Sequence, residues 1–477
     1  MPARQIVAPV EVPAPIADGL ARLRQGLGIP DAFPAAALAA AEASAAQPRP
    51  LPELDRTDIE LVTIDPPGSM DLDQALHLAR SRRGFTVHYA IADVAAWVSP
   101  GDPVDQEAWR RGQTYYSPHQ RAPLHPPRLS EDAASLLADG RARPALLWTV
   151  ELDPDGLQTS ARVERAAVRS RARLTYEEVQ AQIDAGTASE SLQLLKTIGG
   201  LREAQEVARG GVSLAIPEQE VVTDQGQWRL HYRAGLPVEG WNAQVSLLTG
   251  AAAAEIMVAG KVGILRTLPP AEQASVDKLY RTAKGLQIRW PGSMSYPEMV
   301  RSLDPAIPAH QAMTQACTWL FRGAGYLPFD GEVPDQNLQH GALAMRYAHT
   351  TAPLRRLVDR YVLEACRALV AGEEVPGWVR QALPSLPQVM AESDSRAKKY
   401  ERGIVDLMET LVLQPQVGQT FPAVVVEVDR NGRSGTVVLS EPPVEARVEG
   451  QVELGAEIRV RLVEADPGQG RVRFATA

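Results

Sequence analysis

The sequence predicts an α+β protein of several domains: a short helical N-terminal module, a large mixed α/β body and a small C-terminal β-barrel of the OB type. Two observations carry this. The chain has 477 residues, 45% of them hydrophobic and 22% charged, enough for roughly two to four domains and one large core. Its texture also changes twice. It is Ala- and Pro-rich up to about residue 50 and mixed from Ile59 onward, and β-rich segments broken by Gly, Pro and Asn turns close it.

In residues 1–50, Ile16, Leu20, Leu23 and Leu27 fall at helical spacing, and Asp31 before an alanine-rich run starts a second short helix. The stretch 45–55, AAQPRPLPELD, reads as a linker, because Pro48, Pro50 and Pro52 block both helix and ladder. Strands follow in IELVTI, FTVHYAIADVAAWV and ALLWTVELD, then helical patterns near 175–209, 240–260, 271–287 and 343–371. At the end, AVVVEVD, GTVVL, EARVEGQV, EIRVRLVEA and RVRFATA fit a five-stranded closed barrel. The same pattern alone would also suit part of a β-sandwich. These changes divide the chain into 1–50, 51–413 and 414–477.

Lys and Arg number 49 against 58 Asp and Glu, a net charge of −9, which excludes a uniformly basic coat for a polyanion. A nucleic-acid partner is not excluded, since binding depends on where basic residues gather. The two cysteines, Cys317 and Cys366, are too few and too far apart for a disulfide framework or a cysteine-rich zinc site, and read as buried thiols in a reducing cytosol. The N-terminus, MPARQIVAPVEVPAP, carries no apolar signal-peptide core, and the most apolar stretch, 245–264, is broken by Glu255 and Lys261. The expectation is a cytoplasmic monomer without a membrane span.

The most informative segment is TIDPPGSMDLDQAL, at 63–76. A β-branched run ends at Asp65, a Pro-Pro-Gly turn follows, and Asp71 and Asp73 share one face if their stretch is extended. Three carboxylates about 4 Å apart repel by roughly 4 kcal/mol per pair at an effective dielectric near 20, which a hard divalent cation would offset. Such a cluster suits metal-assisted phosphoryl chemistry, although the same residues also compose an ordinary acidic surface turn. Other chemistries lack their motifs: there is no Walker-type phosphate loop, no GxGxxG after a strand, no HExxH and no GxSxG. An aspartyl phosphatase is disfavoured, because Pro66, Pro67, Gly68 and Ser69 separate the apolar strand from Asp71.

With YAIADVAAWVSPGDPVDQEAWRRGQTYYSP (89–118), PPRLSEDAASL (126–136), VRSRARLTYEEV (168–179), TTAPLRRLVDRYV (350–362) and YERGIVDL (400–407), this segment resembles the ribonuclease II / ribonuclease R family, the RNB-type 3′→5′ exoribonucleases. The resemblance implies an RNB-type catalytic domain over 51–413 and an S1-like barrel after it. It implies Mg²⁺, with Mn²⁺ as a substitute, and single-stranded RNA shortened from its 3′ end to nucleoside 5′-monophosphates. Asp65, Asp71 and Asp73 match the metal-binding acids, Asp71 and Asp73 also being catalytic. Tyr116 matches an aromatic that stacks on a base near the 3′ end, and Arg355 an arginine beside the scissile phosphate, with Arg356 a further substrate contact. Glu401 matches an acid that meets the 3′-terminal nucleotide, where a ribose 2′-OH distinguishes RNA from DNA. Each also has a plainer reading: Tyr116 as core, Arg355 as a helix-surface ion pair, Glu401 as a surface glutamate. The tracts 162–173 and 346–360 are expected to line an RNA path. Arg430, Arg433, Arg447, Arg459, Arg461, Arg471 and Arg473 of the barrel are expected to track phosphates.

Two departures stand out. The family carries a fourth aspartate directly after the third, and here Gln74 stands there, able to ligate but bringing no charge. The family also carries two cold-shock-type barrels ahead of the catalytic domain, where this chain has some 50 residues of helical texture. A catalytically impaired RNA-binding protein that keeps the channel is therefore the alternative.

Overall fold

A computed structural model describes residues 6–7, 14–47, 50–117, 120–214, 218–224, 227–233, 235–304, 307–334, 338–429, 431–439, 442 and 444–477. Pro48 of the expected linker, Pro118 of the YYSP segment and Arg430 of the barrel lie outside them.

The N-terminal helices form where expected, as α1 (Ala14–Gly26), burying Ile16 and Leu20, and α2 (Ala35–Ala46), burying Ala37 and Ala41. The body is a six-stranded mixed sheet made of β1 (Leu61–Ile64), β2 (Gln74–Ser81), β3 (Gly84–Ala92), β6 (Arg143–Leu152), β7 (Gln158–Val168) and β8 (Ser170–Leu174). Between β3 and β6 lie α3 (Pro103–Arg111) and a small hairpin of β4 (Tyr115–Tyr116) and β5 (Arg121–Ala122). The sheet order is β7-β6-β3-β2-β1-β8, antiparallel throughout except for the parallel pair β1 and β8. Only Arg169 separates β7 from β8, so one stretch of chain forms both outer strands and the sheet must curl. Helices α4 (Glu190–Ala208) and α5 (Pro237–Gly260) cover it and bury Leu194, Leu195, Ile198, Val245 and Leu248 in the main core. By length and composition α5 could cross a membrane, with half of its most apolar window buried inside the protein.

Two expected elements differ. The run 85–98 leaves the sheet at Ala92, because Asp93 accepts a hydrogen bond from the Ala96 N–H and starts a 3₁₀ turn. The helix expected over 343–371 begins only at Leu357, as α6 (Leu357–Val370). Pro353 disfavours helical backbone at Ala352, and the stretch before α6 is a loop that serves the site below. The longest helix, α7 (Leu386–Leu413), has no counterpart in the sequence reading, because the polar run ESDSRAKK interrupts its apolar stripe.

The barrel confirms the five-strand reading. Strands β9 (Thr420–Val428), β10 (Ser434–Leu439), β11 (Val444–Glu449), β12 (Glu457–Asp466) and β13 (Arg471–Thr476) close in the order β9-β10-β11-β13-β12. Ile16 and Leu20 of α1, Ile404 and Met408 of α7, and Val425, Val460 and Phe474 of the barrel belong to one continuous core. Close approach of α1 and α7 depends on two glycines. A Cβ at Gly19 would lie 2.6 Å from Leu407, and one at Gly403 2.8 Å from Leu23. Cys317 and Cys366 are buried free thiols.

Candidate active site

The acid segment leaves the sheet at Asp65, whose N–H donates to the Leu174 carbonyl of β8 at 3.1 Å, and turns at Gly68, with φ +80°. The return is pinned from a distant segment. Ser135 Oγ donates to the Met70 carbonyl at 2.6 Å and accepts from the Leu72 N–H at 3.0 Å. Leu72 is fully buried, so Asp71 and Asp73 on either side of it are fixed in place.

Each aspartate has a different environment. Burial pushes the Asp65 carboxyl up to about 6, with Arg355 opposing, Asp71 adding to the push and Arg173 opposing again. Asp73 is buried and held well above the carboxylate range by that burial. Opposing this, its Oδ1 accepts from the Leu354 N–H at 2.7 Å and its Oδ2 lies 3.3 Å from Arg355 Nε. Asp71 is gripped on both oxygens, by Arg121 Nη1 at 2.6 Å and by the Tyr116 hydroxyl at 3.2 Å.

Arg355 arrives on the loop before α6. Its carbonyl accepts from the Thr114 N–H at 3.0 Å, Leu357 N–H donates to the Gly112 carbonyl at 3.0 Å, and Gln113 and Arg356 form a bridge. That docking sets Arg355 beside the segment ending in Tyr116. From below, Asp359 accepts from the Ala352 N–H at 2.7 Å. The Tyr116 ring is 41% exposed, yet burial is the main cause that drives its hydroxyl pKa upward, followed by Asp71. The Arg355 side chain, 44% exposed, lies beside the same acids.

The sequence pattern of the RNB domain matches residues 54–372, and that of the RNase II-type exonuclease C-terminal S1 domain matches 419–477. The chain belongs to the RNB family. Ribonuclease R of Aquifex aeolicus is 25% identical over 457 residues, covering 86% of this chain and 63% of that protein. In general the chain spans 37 to 63% of the length of the first curated relatives it matches. Among solved structures, Mycoplasma genitalium RNase R in complex with ribose-methylated single-stranded RNA superposes with a TM-score of 0.86 at 19% identity, over 98% of this chain and 79% of that one. Yeast Ssd1, described as a pseudonuclease, superposes at 0.68 and 18% identity, over 89% and 54%. These likenesses establish the fold.

The RNB site thus gathers Asp65, Asp71, Asp73, Tyr116 and Arg355, and places the other expected residues apart from one another. Gln74 opens β2, and its carboxamide oxygen accepts from the Tyr89 hydroxyl, which itself lies within the field of Asp65 and Asp73. Arg356 is tied to Asp359 through Nε at 3.0 Å and Nη2 at 2.9 Å, which leaves its neighbour Arg355 as the accessible guanidinium. Glu401 sits on α7, its carboxyl pushed up to about 7 by burial, with Lys398 opposing and Asp394 adding. The expected basic tracts are largely spent on structure. Arg165 pairs with Asp93 and Glu364, Arg360 with Asp105 and Arg346 with Glu255. On the barrel, Arg471 and Arg473 pair with acids, whereas Arg459 and Arg461 are exposed and make no ion pair among the described residues.

Several contacts escaped sequence reasoning: Arg121, Tyr89, the Leu354 N–H, and Tyr176, whose hydroxyl is pushed up to about 12 by burial and by Asp65. Only tertiary pairing brings them here, so no local spacing announces them. Among the described residues, no three His, Cys, Asp or Glu side chains are drawn into a metal-holding group. The donor chemistry nonetheless fits a hard cation. Asp65 makes no side-chain hydrogen bond among the described residues, so its carboxylate oxygens are uncommitted, and a carboxylate set of this kind suits an oxygen-seeking divalent ion.

Proposed function

We propose that the chain is a divalent-metal-dependent 3′→5′ exoribonuclease that hydrolyses single-stranded RNA to nucleoside 5′-monophosphates, with Mg²⁺ as the ion and Mn²⁺ as a substitute. The observation that carries this reading is the pinned segment bearing Asp71 and Asp73, with the partly exposed Arg355 guanidinium 3.3 Å from Asp73 and the partly exposed Tyr116 hydroxyl 3.2 Å from Asp71. Asp65, Asp71 and Asp73 would hold the cation, which when bound supplies a polarised water and charge stabilisation at phosphorus. The Tyr116 ring offers a face on which a terminal base stacks without regard to sequence. Arg355, reaching from its docked loop, is placed to grip a phosphoryl oxygen and to stabilise charge that develops during displacement. Asp73 orients that guanidinium through Nε, leaving its two terminal amino groups for the substrate. Glu401 on α7 is assigned to the ribose hydroxyls of the last nucleotide. Two buried free thiols suit a reducing cytoplasm, and a monomer there completes the reading.

The test is release of mononucleotides from 5′-labelled RNA in Mg²⁺ or Mn²⁺, compared with Asp73→Asn, which should lose activity by a factor of at least about 10³. The second reading, an RNA-binding protein without cleavage, is favoured by Gln74 at the fourth acid position and by the arginine already on Asp71. Protein that retards RNA on a gel and never shortens it would decide for that second reading.

A further inference from the structure

Arg121 belongs to no motif the sequence offered, yet it makes the shortest contact to any acid of the site. Its Nη1 lies 2.6 Å from Asp71 Oδ1, while Nη2 and Nε lie 2.9 and 3.2 Å from Glu131 Oε1. One guanidinium is shared between two carboxylates that no other contact among the described residues links. The side chains are only 25, 12 and 26% exposed for Arg121, Asp71 and Glu131, so solvent screens the pairing only in part.

Local structure holds both partners in place. Arg121 faces Tyr116 across the β4–β5 hairpin, and the Tyr116 hydroxyl takes the other Asp71 oxygen, so one hairpin occupies both. Glu131 is presented by a single π-helical turn, Leu129–Ala133, a geometry that is uncommon and gathers at functional sites.

We propose that Arg121 is a built-in counter-cation of the acid cluster. It neutralises Asp71 while no metal is bound and withdraws onto Glu131 when a divalent ion takes Asp71. The exchange leaves no stranded charge, since Glu131 already receives Nε and Nη2. Arg121 is thus a positioning residue that sets the site's affinity for metal by competing for one of its ligands, and the inference rests on the metal-dependent reading above. It also links metal entry to the hairpin that carries Tyr116, because both oxygens that the ion would claim are held from that hairpin.

The test is Mn²⁺ binding to the full chain without RNA, followed by the paramagnetic resonance signal of free Mn²⁺. Arg121→Gln should tighten binding about tenfold, the scale of one partly buried ion pair, whereas Glu131→Gln should weaken it severalfold by depriving the arginine of its alternative partner. Opposite signs cannot arise from general damage, which would weaken both. Unchanged Mn²⁺ affinity in Arg121→Gln, or weakening in both variants, overturns the proposal. So does unchanged Mn²⁺ affinity together with weakened RNA binding, which would make Arg121 a phosphate contact. If wild type and both variants alike take up no Mn²⁺, the metal-dependent reading itself has failed, and the inference falls with it.

Discussion

An aspartate at position 74 would meet the Tyr89 hydroxyl that now donates to the Gln74 carboxamide, and would add a negative charge beside a cluster that Arg121 and Arg355 already partly neutralise. Gln74→Asp should therefore lower the Mg²⁺ concentration for half-maximal rate by about three- to tenfold, read from an Mg²⁺ titration of mononucleotide release. An unchanged or higher requirement would show that the fourth position does not tune the cation. Glu401 gives a prediction of stability. Its carboxyl titrates near 7 in the fold against an ordinary value of 4.5, so the stability it contributes is complete below pH 4.5 and is lost as pH rises through 7. Glu401→Gln should therefore melt like wild type at pH 4 and be more stable by about 1 kcal/mol at pH 8, checked by thermal melts across that range. At this scale the aspartates were legible, because carboxylates crowded at a strand end need a reason to be there. Arg121, Tyr89 and the Leu354 N–H were not, since each enters the site through pairing that no spacing encodes.

Among elements, the loop before α6 matters most. A helix was expected through it, yet its backbone donates to Asp73 and Asp359 and pairs with 112–114, and those bonds aim Arg355. Asp359 is the fastening, because it accepts from Ala352 and pairs with Arg356 in the interior. Asp359→Asn should destabilise the protein by about 1–3 kcal/mol and lower kcat more than it raises KM, since it removes the charge that holds the half-buried Arg356 guanidinium and lets Arg355 drift. A denaturant melt with steady-state kinetics would check both. The periodicity of 357–370 was real, and the error lay in extending it backward across Pro353, where tertiary hydrogen bonds to the acid cluster replaced helical ones. Helix α7 failed the other way, since an interrupted apolar stripe conceals a helix that nonetheless packs on several partners.

Across the whole molecule, α1, α7 and the barrel stand or fall together, because one core runs through all three. Gly403→Leu should drive a side chain into Leu23 and cost about 1–3 kcal/mol, and one transition seen by both far-ultraviolet dichroism and barrel amide exchange would confirm the shared core. The barrel's outline was legible because turn residues recur between its β-rich runs. Its docking was not, since the contacting residues read simply as apolar positions of three separate elements. The net charge of −9 takes on sense here too, as most arginines of the two basic tracts are consumed by acids, leaving few to face a polyanion. A last consequence follows from Arg169, the single residue between the strands at the two margins of the sheet. A margin is where a foreign strand can add by main-chain pairing, and the β7 margin is covered at its end by the chain itself, since the Ala167 N–H donates to the Leu54 carbonyl at 2.8 Å and the Ala167 carbonyl accepts from the Arg56 N–H at 2.8 Å.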